Sequence, residues 1–461
     1  MELSELTRAR QPGSEQALLG ARLRLPFVLF GGMVALQSSP NLDATKIAYL
    51  IGTIVCLLGA LTAAWRMRRS AEVGLLAPWF AFAVALLALI AVSFAVSSAN
   101  GTPITDWFRD VVAYGLFAAV PVFALDGHFS LSRRTLVGML VFAGLLGGLS
   151  WAVEWLARRE ILDLPLARLV FPSAQLPGLL YVFAIAVALT PGRRRGWWAI
   201  LAGVVLALFL ITGTRSSLLF LVGPAAMVLF AGRDRIRASL RPLASHAIVA
   251  AGAILVFQLA LTVSVAPAPG GSQPGQPSLD PASTPGSGVL GDRFGSLPEL
   301  VGSPGSDASI RERVAQYRAA WGLFASSPIV GVGPGHSIDW VDVSGYPRSG
   351  YTADTPLVLP AKFGLLGVLV FVGFAVAYVS VALAALRRDR GSAVSLTLVG
   401  YGVLMIIGLP LGFFVEDKGA SLALILLLAL SLVELRQSES DQPETSIAGP
   451  ARSSAGPPQD G

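Results

Sequence analysis

Between Arg313 and Gly367 the chain reads RVAQYRAAWGLFASSPIVGVGPGHSIDWVDVSGYPRSGYTADTPLVLPAKFGLLG. The stretch opens as an amphipathic segment in which Arg313 and Arg318 lie beside Tyr317 and Trp321. It turns through the Pro/Gly-rich run Ser327 to Gly335 and ends in an apolar run closing with Gly364-Leu365-Leu366-Gly367. A polar, arginine-bearing loop between long apolar runs is where a membrane protein can do chemistry, because charge there still meets water. The remainder of the chain reads as the scaffold that holds it.

Outward from that stretch, apolar runs fall at roughly 25–37, 47–65, 75–97, 110–126, 136–157, 171–190, 196–212, 217–232, 244–265, 356–386, 393–414 and 419–435. Most approach the roughly 20 residues that an α-helix needs to cross hydrocarbon. The first and fourth are short. The fold expected is therefore all-α, a polytopic membrane protein with about twelve transmembrane helices. Residues 1–24 form a cytoplasmic arm, 25–265 carry helices one to nine and 266–355 form one large extracytoplasmic loop. Residues 356–435 carry helices ten to twelve, and 436–461 form a polar, disordered cytoplasmic tail.

Composition agrees. The chain is 54% hydrophobic and 13% charged, more apolar surface than a water-soluble fold can hide. The formal charge of +6 comes mostly from arginine, since the only lysines are Lys46, Lys362 and Lys418. The arginines gather at the ends of apolar runs, which argues for topology signals and headgroup contacts and against nucleic acid. Clusters at Arg66–Arg69, Arg133–Arg134, Arg193–Arg195, Arg233–Arg241 and Arg387–Arg390 all follow even-numbered runs; Arg158 and Arg159 are the exception. Both termini are thus expected on the cytoplasmic side. Glu2–Ala21 is polar and mixed in charge, so the first membrane segment is expected to act as the start signal. Cys56, the single cysteine, lies in an apolar run and reads as a core residue.

Within the loop, 266–290 is low-complexity Pro/Gly/Ser, whereas 306–326 recovers helical periodicity with Ile310, Val314, Tyr317 and Trp321 on one face. A helix there is expected to lie on the outer membrane surface. Gly331-Val332-Gly333-Pro334-Gly335 lacks the lysine and the strand-to-helix context of a nucleotide loop, and reads as a tight turn folding the loop back over the membrane.

Arg215, in Thr212-Gly213-Thr214-Arg215-Ser216, sits between two apolar runs with almost no loop. It either snorkels to the headgroups or offers a guanidinium fork to a phosphate. Arg313 and Arg318 are five residues apart, so only one of them is expected to face a given target. Arg109 has Asp106 and Asp110 as candidate partners, and convergence with other arginines on a pyrophosphate is its alternative role. His336, directly after the glycine turn, and the carboxylates Asp339, Asp342 and Asp354 are the candidate bases. No residue spacing suggests a metal site or a cofactor.

Three blocks resemble the O-antigen ligase and Wzy-type polymerase superfamily of membrane glycosyltransferases. Thr212-Gly213-Thr214-Arg215-Ser216 is similar to its TGSR signature. Arg313 with Tyr317, Ala319-Ala320, Pro328 and Gly331 to Gly335 is similar to its arginine block ending in spaced glycines. Thr355 to Gly367 is similar to the segment after its outer loop. The resemblance implies a GT-C-like fold in the cytoplasmic (inner) membrane. It implies transfer of a glycan from a polyprenyl-pyrophosphate donor to an acceptor hydroxyl, in cell-surface polysaccharide biosynthesis. Arg215 and Arg313 are the implied pyrophosphate ligands, and Arg318 and Arg109 are the further candidates that the residues themselves offer. The ligase histidine-asparagine pair, eleven residues before the GLLG glycine, falls here on Ala353 and Asp354. The resemblance therefore implies Asp354 as the base, with His336 as a substitute. Two other readings fit twelve crossings: a flippase or transporter of glycan lipids, and a non-catalytic member of a glycan-assembly complex.

Overall fold

A computed structural model describes residues 65, 71–158, 174–192, 194–211, 222–231, 244–252, 308–408 and 418–440. Ten helices and one hairpin carry the argument. They are α1 (Ala77–Ala99), α2 (Ile104–Ser130), α3 (Arg133–Arg158), α4 (Gln175–Leu189), α5 (Arg195–Ile211), α6 (Val222–Ala231), α7 (Ala308–Ser326), β1 (Ile338–Val341), β2 (Pro347–Gly350), α8 (Val358–Arg388), α9 (Ala393–Gly408) and α10 (Lys418–Ser440). Residues 244–252 are also helical. Among the described residues five helices are long and apolar enough to cross a bilayer: α1, α2, α3, α8 and α10. The chain is thus a helical membrane protein. The runs expected at 25–37 and 47–65 lie outside the described residues, apart from Trp65.

Those five helices divide by burial. The apolar windows of α2 and α10 are 78% and 83% buried, and the two helices pack on one another at the centre of the bundle. Those of α1, α3 and α8 are 33%, 28% and 33% buried, so each turns most of its apolar surface outward. Leu365, Leu369, Val372, Val376 and Val379 form such an exposed strip on α8, and lipid is the solvent that suits it. Inside, Phe374 of α8 meets Trp79 of α1 edge-on at 5.4 Å and Phe117 of α2 at 5.9 Å. This aromatic joint fixes α1, α2 and α8 together beneath the polar loop. On the far side, α6 and α9 approach so closely that a Cβ on Gly223 would lie 2.9 Å from the Gly400 carbonyl oxygen. Small residues permit such crossings where no hydrophobic effect drives helices together.

The fourth apolar run needs correction. Its expected start at 110 cuts off the first turns of α2, which runs 27 residues from Ile104. Hydropathy stops at Asp106, Arg109 and Asp110; the helix continues because the buried carboxylate of Asp110 has a partner elsewhere in the chain, described below. Helix α10 likewise extends past 435, to Ser440.

The expected helix in the loop is present as α7. The hairpin was not foreseen: β1 and β2 pair antiparallel, with Ile338 opposite Gly350 and Val341 opposite Pro347. Ile338, Ala353 and Val358 form a small core of their own, covered by Ala319, Leu323 and Trp340. This packs α7 and the hairpin against the start of α8.

Candidate functional site: a loop seated in a broken helix

Helix α8 is interrupted at Gly364, whose φ is 62° and ψ −159°. In an unbroken helix the N–H groups of residues 365 and 366 would donate to the carbonyls of 361 and 362. Here Leu365 donates to the Pro328 carbonyl (2.8 Å) and Leu366 to that of Ile329 (3.2 Å). The freed carbonyls of Ala361 and Lys362 accept from Val332 (2.9 Å) and Gly333 (3.0 Å). The turn 328–333 is therefore inserted into the helix, and four bonds between the two segments replace two helical ones. Near hydrocarbon, an opened helix persists only when its polar groups are satisfied in this way.

The insertion explains the glycines. A Cβ on Gly331 would sit 2.3 Å from the Lys362 carbonyl, and one on Gly364 would sit 2.2 Å from the Ile329 carbonyl oxygen. Both have positive φ, so only glycine fits in conformation and in space. Beyond the break, the turn lies in a notch between the end of α1 and the start of α2. The Ser97 hydroxyl donates to the Pro334 carbonyl and the Asn100 amide to that of Val332, each at 2.9 Å.

One buried ion pair closes the assembly. Lys362 Nζ donates to Asp110 Oδ1 at 2.6 Å and also to the Tyr351 carbonyl. The other oxygen of Asp110 accepts from the Gly335 N–H at 2.7 Å. Both charged side chains are almost fully enclosed. Together they join α2, the glycine turn, the break in α8 and the strap 351–355.

That strap gathers the candidate residues. Asp110 being engaged by Lys362, the Arg109 guanidinium lies over the Tyr351 ring, 4.0 Å from its centroid. Three residues on, Asp354 is the partner of Arg313, with Nη2 to Oδ2 at 4.0 Å, and its backbone N–H donates to Gln316 Oε1 at 2.8 Å. Tyr351 and Asp354 are at most about 11 Å apart along the chain. Arg109 and Arg313 thus approach the two ends of one short segment. The Asp354 side chain is 68% exposed, open to an incoming group. His336 follows Gly335 directly and is half-buried.

Arg318 does not join them. It is exposed on another side of α7, with only Arg313 of the pair turned to the strap. Arg215 lies outside the described residues. The sequence reading passed over Lys362, although a lysine inside an apolar run always requires a partner. Gln316 and Tyr351 carried no signal of their own.

Farther out, the hairpin turn is ordered by Asp342. Its carboxylate accepts from the N–H groups of Ser344 and Tyr346 at 2.9 Å each and from Arg348 Nε at 3.0 Å. The Tyr346 N–H foremost holds this carboxyl below its ordinary range; desolvation, next in size, opposes it, and Arg348 and Ser344 add to the lowering.

No family model matches the chain, and no curated protein matches it.

Proposed function

We propose that the chain is a metal-independent membrane glycosyltransferase of the O-antigen ligase or polymerase type, with a GT-C-like fold. It works at the outer side of the cytoplasmic membrane, with both termini inside. The acceptor hydroxyl attacks the anomeric carbon of a polyprenyl-pyrophosphate glycan and gives its proton to Asp354. The bond from that carbon to the pyrophosphate oxygen breaks, and polyprenyl pyrophosphate leaves with its electrons and charge. Arg313, Arg109 and Arg215 hold the pyrophosphate, so stabilisation comes from fixed cations aimed at the leaving group. His336 is the alternative base.

One observation carries this reading. The arginine-and-glycine block and the GLLG block, adjacent motifs of the resemblance, are a single interlocked structure, in which the turn 328–333 fills the break at Gly364. Arg313 and Asp354, one from each side of that interlock, meet at its edge.

The test uses protein in lipid nanodiscs with a polyprenyl-pyrophosphate oligosaccharide and a panel of acceptors. Release of polyprenyl pyrophosphate coupled to a lengthened or newly attached glycan is the expected result. Arg313→Gln and Arg215→Gln should each slow it about a hundredfold, and Asp354→Asn by a similar factor if the carboxylate is the base. Labelled glycan lipid crossing the bilayer with no donor consumed would replace this reading with a flippase.

A further inference from the structure

Helix α7 has a second, exposed face, away from the strap. Arg311, Val314, Arg318 and Trp321 are all exposed and fall at spacings of three and four, so they form one stripe along the helix. The opposite face, Gln316, Ala320 and Leu323, packs on Asp354 and the small core. Among the described residues neither Arg311 nor Arg318 has an ion-pair partner. The stripe alternates guanidinium and apolar groups, the composition of a surface that meets headgroups and acyl chains together.

Its depth can be placed. From Leu366 to Arg387 helix α8 rises about 31 Å, close to the thickness of the hydrocarbon. With Arg387 and Arg388 at one headgroup layer, the break at Gly364 lies at the other. Ile329 is hydrogen-bonded at that level to Leu366 and is 65% exposed. The segment 328–329 is thus bonded directly to Leu365 and Leu366, both of them exposed. Trp321 is 55% exposed and meets Phe324 at a tilt, with ring centroids 5.3 Å apart. Exposed apolar groups thus occur both on the bilayer-facing strip of α8 and on α7, which packs against α8.

We propose that the Arg311–Val314–Arg318–Trp321 stripe is a lipid-docking surface of α7. It lies in the headgroup layer on the side of the membrane away from Arg387, with Trp321 and Ile329 at the acyl boundary. Arg311 and Arg318 bind the phosphates of anionic lipids. The occupant is the bilayer in which the protein itself sits. This assigns Arg318 to the membrane and is independent of the transferase reading.

The experiment places an environment-sensitive fluorophore on single cysteines at 321, 314 and, as a water-exposed reference, 349, in a Cys56→Ala background. The labelled proteins are set in nanodiscs of phosphatidylcholine and phosphatidylglycerol. Probes at 321 and 314 should be shielded from iodide and quenched by lipids carrying a nitroxide near the headgroup. Spin-labelled phosphatidylglycerol should quench about two- to fivefold more than spin-labelled phosphatidylcholine, and Arg311→Gln/Arg318→Gln should abolish that preference. Two label sites guard against a local defect at either one. Iodide reaching both positions as freely as 349, or equal quenching by the two lipids, overturns the proposal.

Discussion

In Ser327–Gly335 and again in Asp342–Tyr346 the polar loop turns on glycines of positive φ: Gly331, Gly333 and Gly335 in the first, Gly345 in the second. The first turn is enclosed. Where a Cβ would stand on Gly331, Gly333 or Gly335, another atom already lies at 2.3, 2.2 or 2.5 Å. The second is open, with nothing within 4 Å of the same point on Gly345. One turn is held by backbone bonds into a broken helix and by a buried ion pair; the other is held by one carboxylate, that of Asp342. Glycine content does not separate a rigid turn from a soft one. The separation comes from what closes around the turn.

The enclosed turn breaks most completely at the ion pair. Lys362→Met leaves the Asp110 carboxylate buried without its cation, and a lone buried charge costs roughly 3–5 kcal/mol. Thermal unfolding in nanodiscs should fall accordingly. Asp110→Asn combined with Lys362→Met should recover most of the loss, because no uncompensated charge remains. A single-variant loss below about 1 kcal/mol would mean that water reaches the pair.

Alanine substitution then separates conformation from collision. Gly345→Ala meets only the cost of a left-handed residue, about 1 kcal/mol. Gly364→Ala, at φ 62° and ψ −159° in a region open essentially to glycine alone, costs more in conformation and also drives a methyl group into the Ile329 carbonyl, so the inserted turn must move. Its loss should exceed that of Gly345→Ala by at least about 1–2 kcal/mol. It should also lower the proposed transfer activity, which Gly345→Ala should leave unchanged. Equal losses at the two sites would remove the distinction between the turns.

Much of this frame was legible beforehand. Apolar runs located the described helices, and periodicity between 306 and 326 located α7. That Arg313 and Arg318 face different ways followed from a spacing of five. Most of what escaped the sequence depends on pairings across long separations. Hydropathy cut α2 short at Asp110 because it cannot register a lysine 252 positions away. The turn at Gly331 read as a fold-back loop because nothing local reveals that its bonding partners are the carbonyls of Ala361 and Lys362. The hairpin was missed because its strands have four residues each, too few for alternation to stand out, and only Ile338 is buried in β1.

The softest contrast between the turns is in their response to acid. Asp342 has its carboxyl held below the ordinary value of about 3.9, so the unfolded turn takes up a proton at higher pH than the folded one. Its contribution to the hairpin is present in full above that ordinary value and is lost as pH falls through the lowered one. Hydrogen exchange over 338–350 should therefore be slower in the wild type than in Asp342→Asn at neutral pH, and the two should converge as pH drops below about 4. Comparison at each pH against Asp342→Asn removes the intrinsic pH dependence of exchange. Over 328–336 the wild type and variant should agree at every pH, since no bond of the enclosed turn involves Asp342. A parallel change there would mean that the hairpin and the inserted turn open together, and that the enclosure around Gly331 extends to the hairpin tip.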